Sequence, residues 1–157
     1  MLFREYRPSR FLEIGVYRGQ TLSLDALLQQ QLAIGGSVTG ISPFTPSGDT
    51  VSRYRQDVDY LADTKANFSY FNLPEPDVVC AFSTDQSARE RVAREVWDTI
   101  YIDGNHDYEV AKADWDLCAT HLRRGGILVL DDAALNTGYK PPAFATAGHP
   151  GPSRLAS

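Results

Sequence analysis

Phe11-Leu12-Glu13-Ile14-Gly15-Val16-Tyr17-Arg18-Gly19 is a short apolar run that stops at a glycine and leads into an amphipathic segment. A strand turned by glycines into a helix is the opening of a βαβ unit. Gln20 to Ala33 follows with Leu24, Leu27, Leu28 and Leu32 at helical spacing, and Gly35-Gly36 stop it. Ser37 to Ser42 reads as a second strand and Pro43 to Asp49 as a loop. Thr50 to Phe71 reads as a surface helix with Val51, Tyr54, Val58, Leu61 and Phe68 on one face. Val78-Val79-Cys80-Ala81-Phe82 is a continuous apolar run, the pattern of a strand covered on both faces. Ser83-Thr84-Asp85-Gln86 offers a Ser-x-x-Gln capping box for a helix reaching Val96. Trp97 to Ile102 is a fourth strand. Tyr108 to Leu122 is a helix with Tyr108, Ala111, Trp115, Cys118 and Leu122 on one face, Glu109 paired with Lys112, and Gly125-Gly126 at its end. Ile127 to Leu130 is a fifth strand. Strands alternating with helices in this way predict an α/β fold, a doubly wound parallel sheet of about five strands with helices on both faces.

The 157 residues carry 15 Lys+Arg against 20 Asp+Glu, a net charge of −5, with 43% hydrophobic residues. That is one globular domain by length and composition. The acidic balance offers no basic stripe for a phosphate backbone, so no nucleic-acid partner is expected. No apolar run approaches the roughly 20 residues that span a bilayer, so no membrane partner is expected either. Arg4, Arg7 and Arg10 have no apolar signal core behind them, and a cytoplasmic location is expected. Cys80 and Cys118 lie in apolar runs and read as buried thiols.

After Asp132 the periodicity disappears. Ala133 to Ser157 holds Pro141, Pro142, Pro150 and Pro152 with Gly138, Gly148 and Gly151, and His149 among them reads as solvent-exposed. Residues 1–132 thus form one unit, and residues 133–157 are a disordered tail or an active-site loop.

Ligands of an open parallel sheet bind beyond the carboxyl ends of its strands. At the first strand end, Gly15 and Gly19 permit a tight turn and a close backbone approach, and the amides of the next helix face an anionic or polar group. The spacing lacks the middle glycine of the dinucleotide fingerprint, where Tyr17 stands, and the Gly-Lys-Ser/Thr ending of a phosphate loop. At the second strand end, Ser42 is either a weak partner for ribose hydroxyls or an ordinary loop serine, with Asp49 as a substitute. At the third, Asp85 either faces an adenine amine or complements a helix dipole. At the fourth and fifth, Asp103, Asp131 and Asp132 converge. Three carboxylates repel one another unless a cation lies between them, and oxygen ligands suit Mg²⁺, Mn²⁺ or Ca²⁺. His106, just beyond Asp103, is a general base or a further ligand.

With these residues in place, the chain resembles class I S-adenosylmethionine-dependent methyltransferases over Phe11 to about Asp132. Residues 11–19 look like the family's first cofactor-binding motif. Ile102-Asp103-Gly104-Asn105-His106-Asp107-Tyr108, followed by Leu122 to Asp132, is similar to the branch of metal-dependent O-methyltransferases acting on macrolide sugars. The resemblance implies a Rossmann-like sheet, with Glu13, Gly15, Tyr17 and Gly19 around the methionine and ribose part of S-adenosylmethionine. It matches Asp103, Asp131 and Asp132 to metal-ligand positions for Mg²⁺ or Mn²⁺ and His106 to the base. Asp103 and His106 would act on a small hydroxylated substrate. Ser42 departs from the usual acidic ribose partner, and Arg124 from a proline common before the two glycines.

The family's sheet normally has seven strands, closed by an antiparallel hairpin. Five are legible here, so the chain reads as truncated, lacking the closing hairpin. An exposed apolar edge and face at Ile127 to Leu130 is then expected, and with it either poor solubility alone or a covering partner, a homo-oligomer among the options. Two other readings stay open. One is a nucleotide- or NAD-binding module, disfavoured by Tyr17 and by the missing acid after the second strand. The other is a non-catalytic, truncated methyltransferase-like fold.

Overall fold

The computed structural model describes residues 2–143 and 145–157, with the side chain of Leu2 left aside. Five parallel strands form one sheet in the order β3-β2-β1-β4-β5. They are β1 (Arg10–Ile14), β2 (Ser37–Ser42), β3 (Asp77–Cys80), β4 (Trp97–Ile102) and β5 (Leu122–Leu130). The helices are α1 (Leu2–Tyr6), α2 (Gln20–Gln31), α3 (Tyr60–Tyr70), α4 (Gln86–Ala93), α5 (Tyr108–Thr120) and α6 (Pro150–Leu155). The chain runs outward from β1 to β3, then returns past β1 to β4. Strand order reverses between β1 and β4, which places Gly15 beside Asp103.

The pleat of β1 explains why both faces are covered. Leu12 and Ile14 point to one side, where Ala88 and Val92 of α4 and Cys118 of α5 pack with Trp97, Ile100 and Ile102. Phe11 points to the other side, where Leu22 of α2 and Phe68 of α3 close over Val38. Trp97 is fully buried, and its indole N–H donates to the Val92 carbonyl at 3.0 Å. This buried sheet is what holds the strand ends, and hence the site, in register.

Several expected features take another form. The helix expected over Thr50 to Phe71 begins only at Tyr60, capped by Asp59, whose side chain accepts from the Ala62 amide at 2.9 Å. The preceding residues form a loop tied by Asp49, which accepts from the Val51 and Ser52 amides. Val78 to Phe82 is not covered on both faces: β3 is an edge strand, and Cys80 is exposed while Cys118 is buried. The capping box at Ser83 is not formed, because α4 starts after Asp85 and Ser83 Oγ donates to Asp114 at 3.0 Å. Lys112 pairs with Asp116, not Glu109. Leu24 is 55% exposed, and the buried face of α2 is instead Leu22, Ser23, Asp25 and Gln29. Gly125-Gly126 do not end α5, which closes at His121; they sit in a bulge inside β5, Gly125 at φ 74°, where the register against β4 shifts. As expected, β5 is an edge, and Val129 stands 37% exposed on it.

The described residues of the Pro- and Gly-rich segment after Asp132 return to the site as a loop and a short helix. Ala133 bridges Gly148 in antiparallel fashion, and α6 packs on α5, with the Arg154 guanidinium 4.1 Å from the Tyr108 ring centroid. Pro150 at the first position of α6 suits a helix start, because its missing N–H would have had no partner there.

Candidate functional site

A cavity of about 360 Å³ opens at the carboxyl ends of β1, β2 and β4. Gly15, Tyr17, Ser42, Ser83, Asp103 and Asn105 are among the residues that line it. It lies at the reversal of strand order, where such sheets bind ligands, and its size is that of a small-molecule site. Gly15 has φ 93°, and a Cβ there would stand 2.0 Å from the Asp103 carbonyl oxygen. The glycine therefore lets β1 and β4 end side by side. Tyr17 packs against Tyr60, ring centroids 5.2 Å apart, at the rim.

Three expected cavity residues lie elsewhere. Glu13 is 3% exposed on the α2 side of the sheet, with Oε2 buried and unpartnered. Burial, then the charges of Asp103 and Asp25, push its carboxyl up to about 8. Gly19 has φ 79° and faces Thr64 of α3, where a Cβ would be 2.7 Å from the threonine methyl, so it serves helix packing. Asp85 accepts from the Phe82 amide at 2.9 Å and leads into α4.

Beside the cavity, the ends of β4 and β5 bring the acidic residues together. The Asp103 carboxyl is pushed up to about 8 by burial and then by Asp131 and Asp132. Asp131 is engaged inward: the Tyr101 hydroxyl donates to its Oδ2, and Oδ1 accepts from the Asp132 amide at 2.7 Å. Burial, together with that carboxylate, raises the Tyr101 phenol. Asp132 adopts φ 52°, a left-handed conformation that turns its carboxylate to the site.

His106 faces this group with a side chain only 10% exposed. Its Nδ1 is bonded to Asp49, which reaches in from the loop after β2 and also accepts from the His106 amide at 3.1 Å. Burial alone would raise the Asp49 carboxyl, but the Ser52 and Val51 amides, His106 and the Ser52 hydroxyl hold it down at about 2. Asp49 is thus occupied by His106 rather than standing in for a ribose partner. His106 Nε2 lies 3.1 Å from Asp132 Oδ2 and 3.9 Å from Asp103 Oδ1, yet is aligned for a hydrogen bond with neither and is left buried without a partner. An orphaned ring nitrogen among carboxylates fits a site for a cation or a proton-bearing ligand.

His149, expected in solvent, is the residue that the sequence reading missed. Its Nε2 lies 3.5 Å from Asp132 Oδ2, and its ring centroid is 4.2 Å from that of His106. The signal was Gly148 before it and Pro150 after it, a left-handed turn feeding a helix start that returns the chain to the site.

Residues 12–133 match the family model of a methyltransferase domain. No curated protein matches the chain. Among solved structures, an O-methyltransferase from Bacillus cereus, in complex with SAH, is 18% identical with a TM-score of 0.60 over 85% of this chain and 54% of that one. The O-methyltransferase TomG from Streptomyces achromogenes, involved in tomaymycin synthesis and in complex with SAM, is 17% identical with a TM-score of 0.62 over 99% of this chain and 62% of that one. The MycE methyltransferase from the mycinamycin biosynthetic pathway, in complex with Mg and SAH, is 21% identical with a TM-score of 0.52 over 84% of this chain and 30% of that one. The chain spans about half the length of the first of these structures. No helix among the described residues is long and apolar enough to cross a membrane. The match over residues 12–133 establishes that this chain belongs to the methyltransferase-domain family, and its five-stranded parallel sheet has the Rossmann-like fold of the class I S-adenosylmethionine-dependent methyltransferases.

Proposed function

We propose that residues 1–132 bind S-adenosylmethionine and support divalent-cation-assisted O-methylation of a small hydroxylated acceptor, with residues 133–157 as the active-site loop. The observation that carries this reading is the convergence of Asp103, Asp132 and His106 at the edge of a cavity built on Gly15. The relatives crystallised with SAM, SAH and Mg support it.

The cavity fits the methyl donor: its apolar strand-end walls and the Tyr17 rim would enclose the nucleoside, and Ser42 would contact ribose. The donor supplies an already activated methyl group, so the protein's task is mostly positioning. Asp103 and Asp132 would hold the cation, with Asp131 fixed behind them by Tyr101. When bound, a hard cation such as Mg²⁺ or Mn²⁺ lowers the pKa of an acceptor hydroxyl. Asp49 holds the His106 ring so that Nε2 faces Asp103 and Asp132, and Nε2 would take the acceptor's proton as the methyl is transferred. Asp49 at its low value stays an anion throughout and stabilises the imidazolium that forms.

Calorimetry with S-adenosylmethionine tests the first step, and saturable binding is expected. The absence of binding overturns the reading. Chelator-treated protein that kept full methyl transfer to a hydroxylated acceptor would remove the cation from it.

A further inference from the structure

We infer a second cation site, formed by His106 Nε2, His149 Nε2 and the Asp132 carboxylate, that takes a nitrogen-seeking divalent ion such as Zn²⁺, Co²⁺ or Ni²⁺ and blocks the base. The blocking role rests on the proposed reading of His106; the site itself rests on geometry.

One ligand atom from each of these residues lies within 4.8 Å of the others. The His106 ring is fixed by Asp49 at Nδ1, which leaves the Nε2 lone pair facing inward, buried and without a hydrogen-bond partner. His149 presents Nε2 to the same Asp132 oxygen, at 3.5 Å against 3.1 Å for His106.

Main-chain contacts place the His149 backbone beside Asp132. Its amide donates to the Asp132 carbonyl at 2.8 Å. Gly148 takes φ 133° so close to that carbonyl that a Cβ would stand 2.1 Å from it. The Gly151 main chain abuts the His106 carbonyl, where a Cβ would also stand 2.1 Å away. The His106 ring and the His149 main chain are thus both held beside one carboxylate.

The donor set separates the two kinds of ion. Mg²⁺ takes oxygen ligands and suits the Asp103 and Asp132 carboxylates. Two imidazole nitrogens and one carboxylate suit Zn²⁺, Co²⁺ or Ni²⁺. The two sites share Asp132, so they exclude each other. An ion on His106 Nε2 occupies the lone pair needed to accept a proton. A hard ion would therefore support transfer, and a nitrogen-seeking one would stop it.

The test titrates metal-free protein with Zn²⁺ against a chromophoric chelator, beside parallel Mg²⁺ and S-adenosylmethionine titrations. The wild type should bind a single equivalent of Zn²⁺ more tightly than Mg²⁺. His149→Ala should lose about tenfold or more in Zn²⁺ affinity, with Mg²⁺ and S-adenosylmethionine binding unchanged. Equal Zn²⁺ affinity in wild type and His149→Ala overturns the site, as does Zn²⁺ binding no tighter than Mg²⁺. Wild-type NMR needs no variant: the His106 and His149 ring signals should move together at one equivalent of Zn²⁺ while that of His121 stays. Movement of one ring, or of all three, overturns the site. Zn²⁺ binding of this kind without S-adenosylmethionine binding would keep the site and overturn the methyltransferase reading instead.

Discussion

Asp49 and His106, 57 residues apart in sequence, are bonded through Nδ1. The bond joins the loop after β2, which walls the cavity, to the loop after β4, which carries the proposed base. Asp49 is itself fixed by the Val51 and Ser52 amides at 2.9 and 2.6 Å, so the contact orients the ring and not the carboxylate. Asp49→Asn keeps the size of the side chain but removes its charge. It should lower kcat for methyl transfer about 10- to 100-fold while leaving the KM for the methyl donor near the wild-type value. An unchanged kcat would show that the pair is only structural.

Buried carboxyls set the pH dependence of stability. Burial pushes Glu13 up to about 8, Asp25 to about 7 and Asp114 to about 6. Each is raised above its ordinary value, so between about pH 4 and pH 8 the folded chain holds more protons than the unfolded chain, and stability falls as pH rises through that window. Asp49 is shifted the other way, and its contribution is lost only as pH falls from about 4 towards 2. Thermal melts in chelating buffer should show a lower midpoint at pH 8 than at pH 5. Asp25→Asn should flatten that difference. A midpoint that climbs from pH 5 to pH 8 would contradict this account.

Gly15 and Gly35 separate backbone conformation from contact. Both have positive φ, 93° and 67°, but a Cβ on Gly35 meets nothing within 4 Å, whereas on Gly15 it strikes the Asp103 main chain. Gly35→Ala should cost about 1 kcal/mol, the penalty of the left-handed conformation alone. Gly15→Ala should cost about 3 kcal/mol or more, because two buried strand ends cannot part without losing their hydrogen bonds. Urea midpoints at matched slope measure the difference, and equal costs would refute the close-approach role of Gly15.

The strand pattern was legible because its signals are local. Ser37 to Ser42 and Trp97 to Ile102 match β2 and β4 residue for residue. The strand-end rule then located Asp103, Asp131 and Asp132 without any knowledge of contacts. What failed depends on distant partners. Leu24 has the right spacing for a buried helix face, yet that face carries Asp25, whose Oδ2 accepts from Gln29 at 2.7 Å while its Oδ1 is buried without a partner, and no apolar periodicity signals a buried carboxyl. Asp49 and His149 reach the site through loops of no regular period, so spacing could not assign them. Tyr101 lies within the fourth strand, and only its place beside Asp131, to which its hydroxyl donates, gives it a part in the site.

The return loop and α6 form the part of the site most open to separate disturbance. The two buried apolar clusters include no residue beyond Leu130, so the sheet does not depend on α6 for its core. What holds α6 is local: Arg154 over Tyr108, Gly151 against the His106 carbonyl, and buried Ser153, whose Oγ accepts from the Leu135 amide and donates to the Asp132 carbonyl. A Cβ at position 151 would stand 2.1 Å from that carbonyl and 2.8 Å from the Tyr108 amide, with main chain on both sides. Gly151→Ala should therefore displace α6 while shifting the global unfolding midpoint little. The displaced helix releases His149 and the loop before it. Limited proteolysis at native conditions should cut within residues 137–143 about tenfold faster in the variant, because local opening and not global unfolding then exposes that stretch. An unchanged cutting rate, or a fall in the global midpoint as large as that of Gly15→Ala, would mean that α6 is part of the cooperative core.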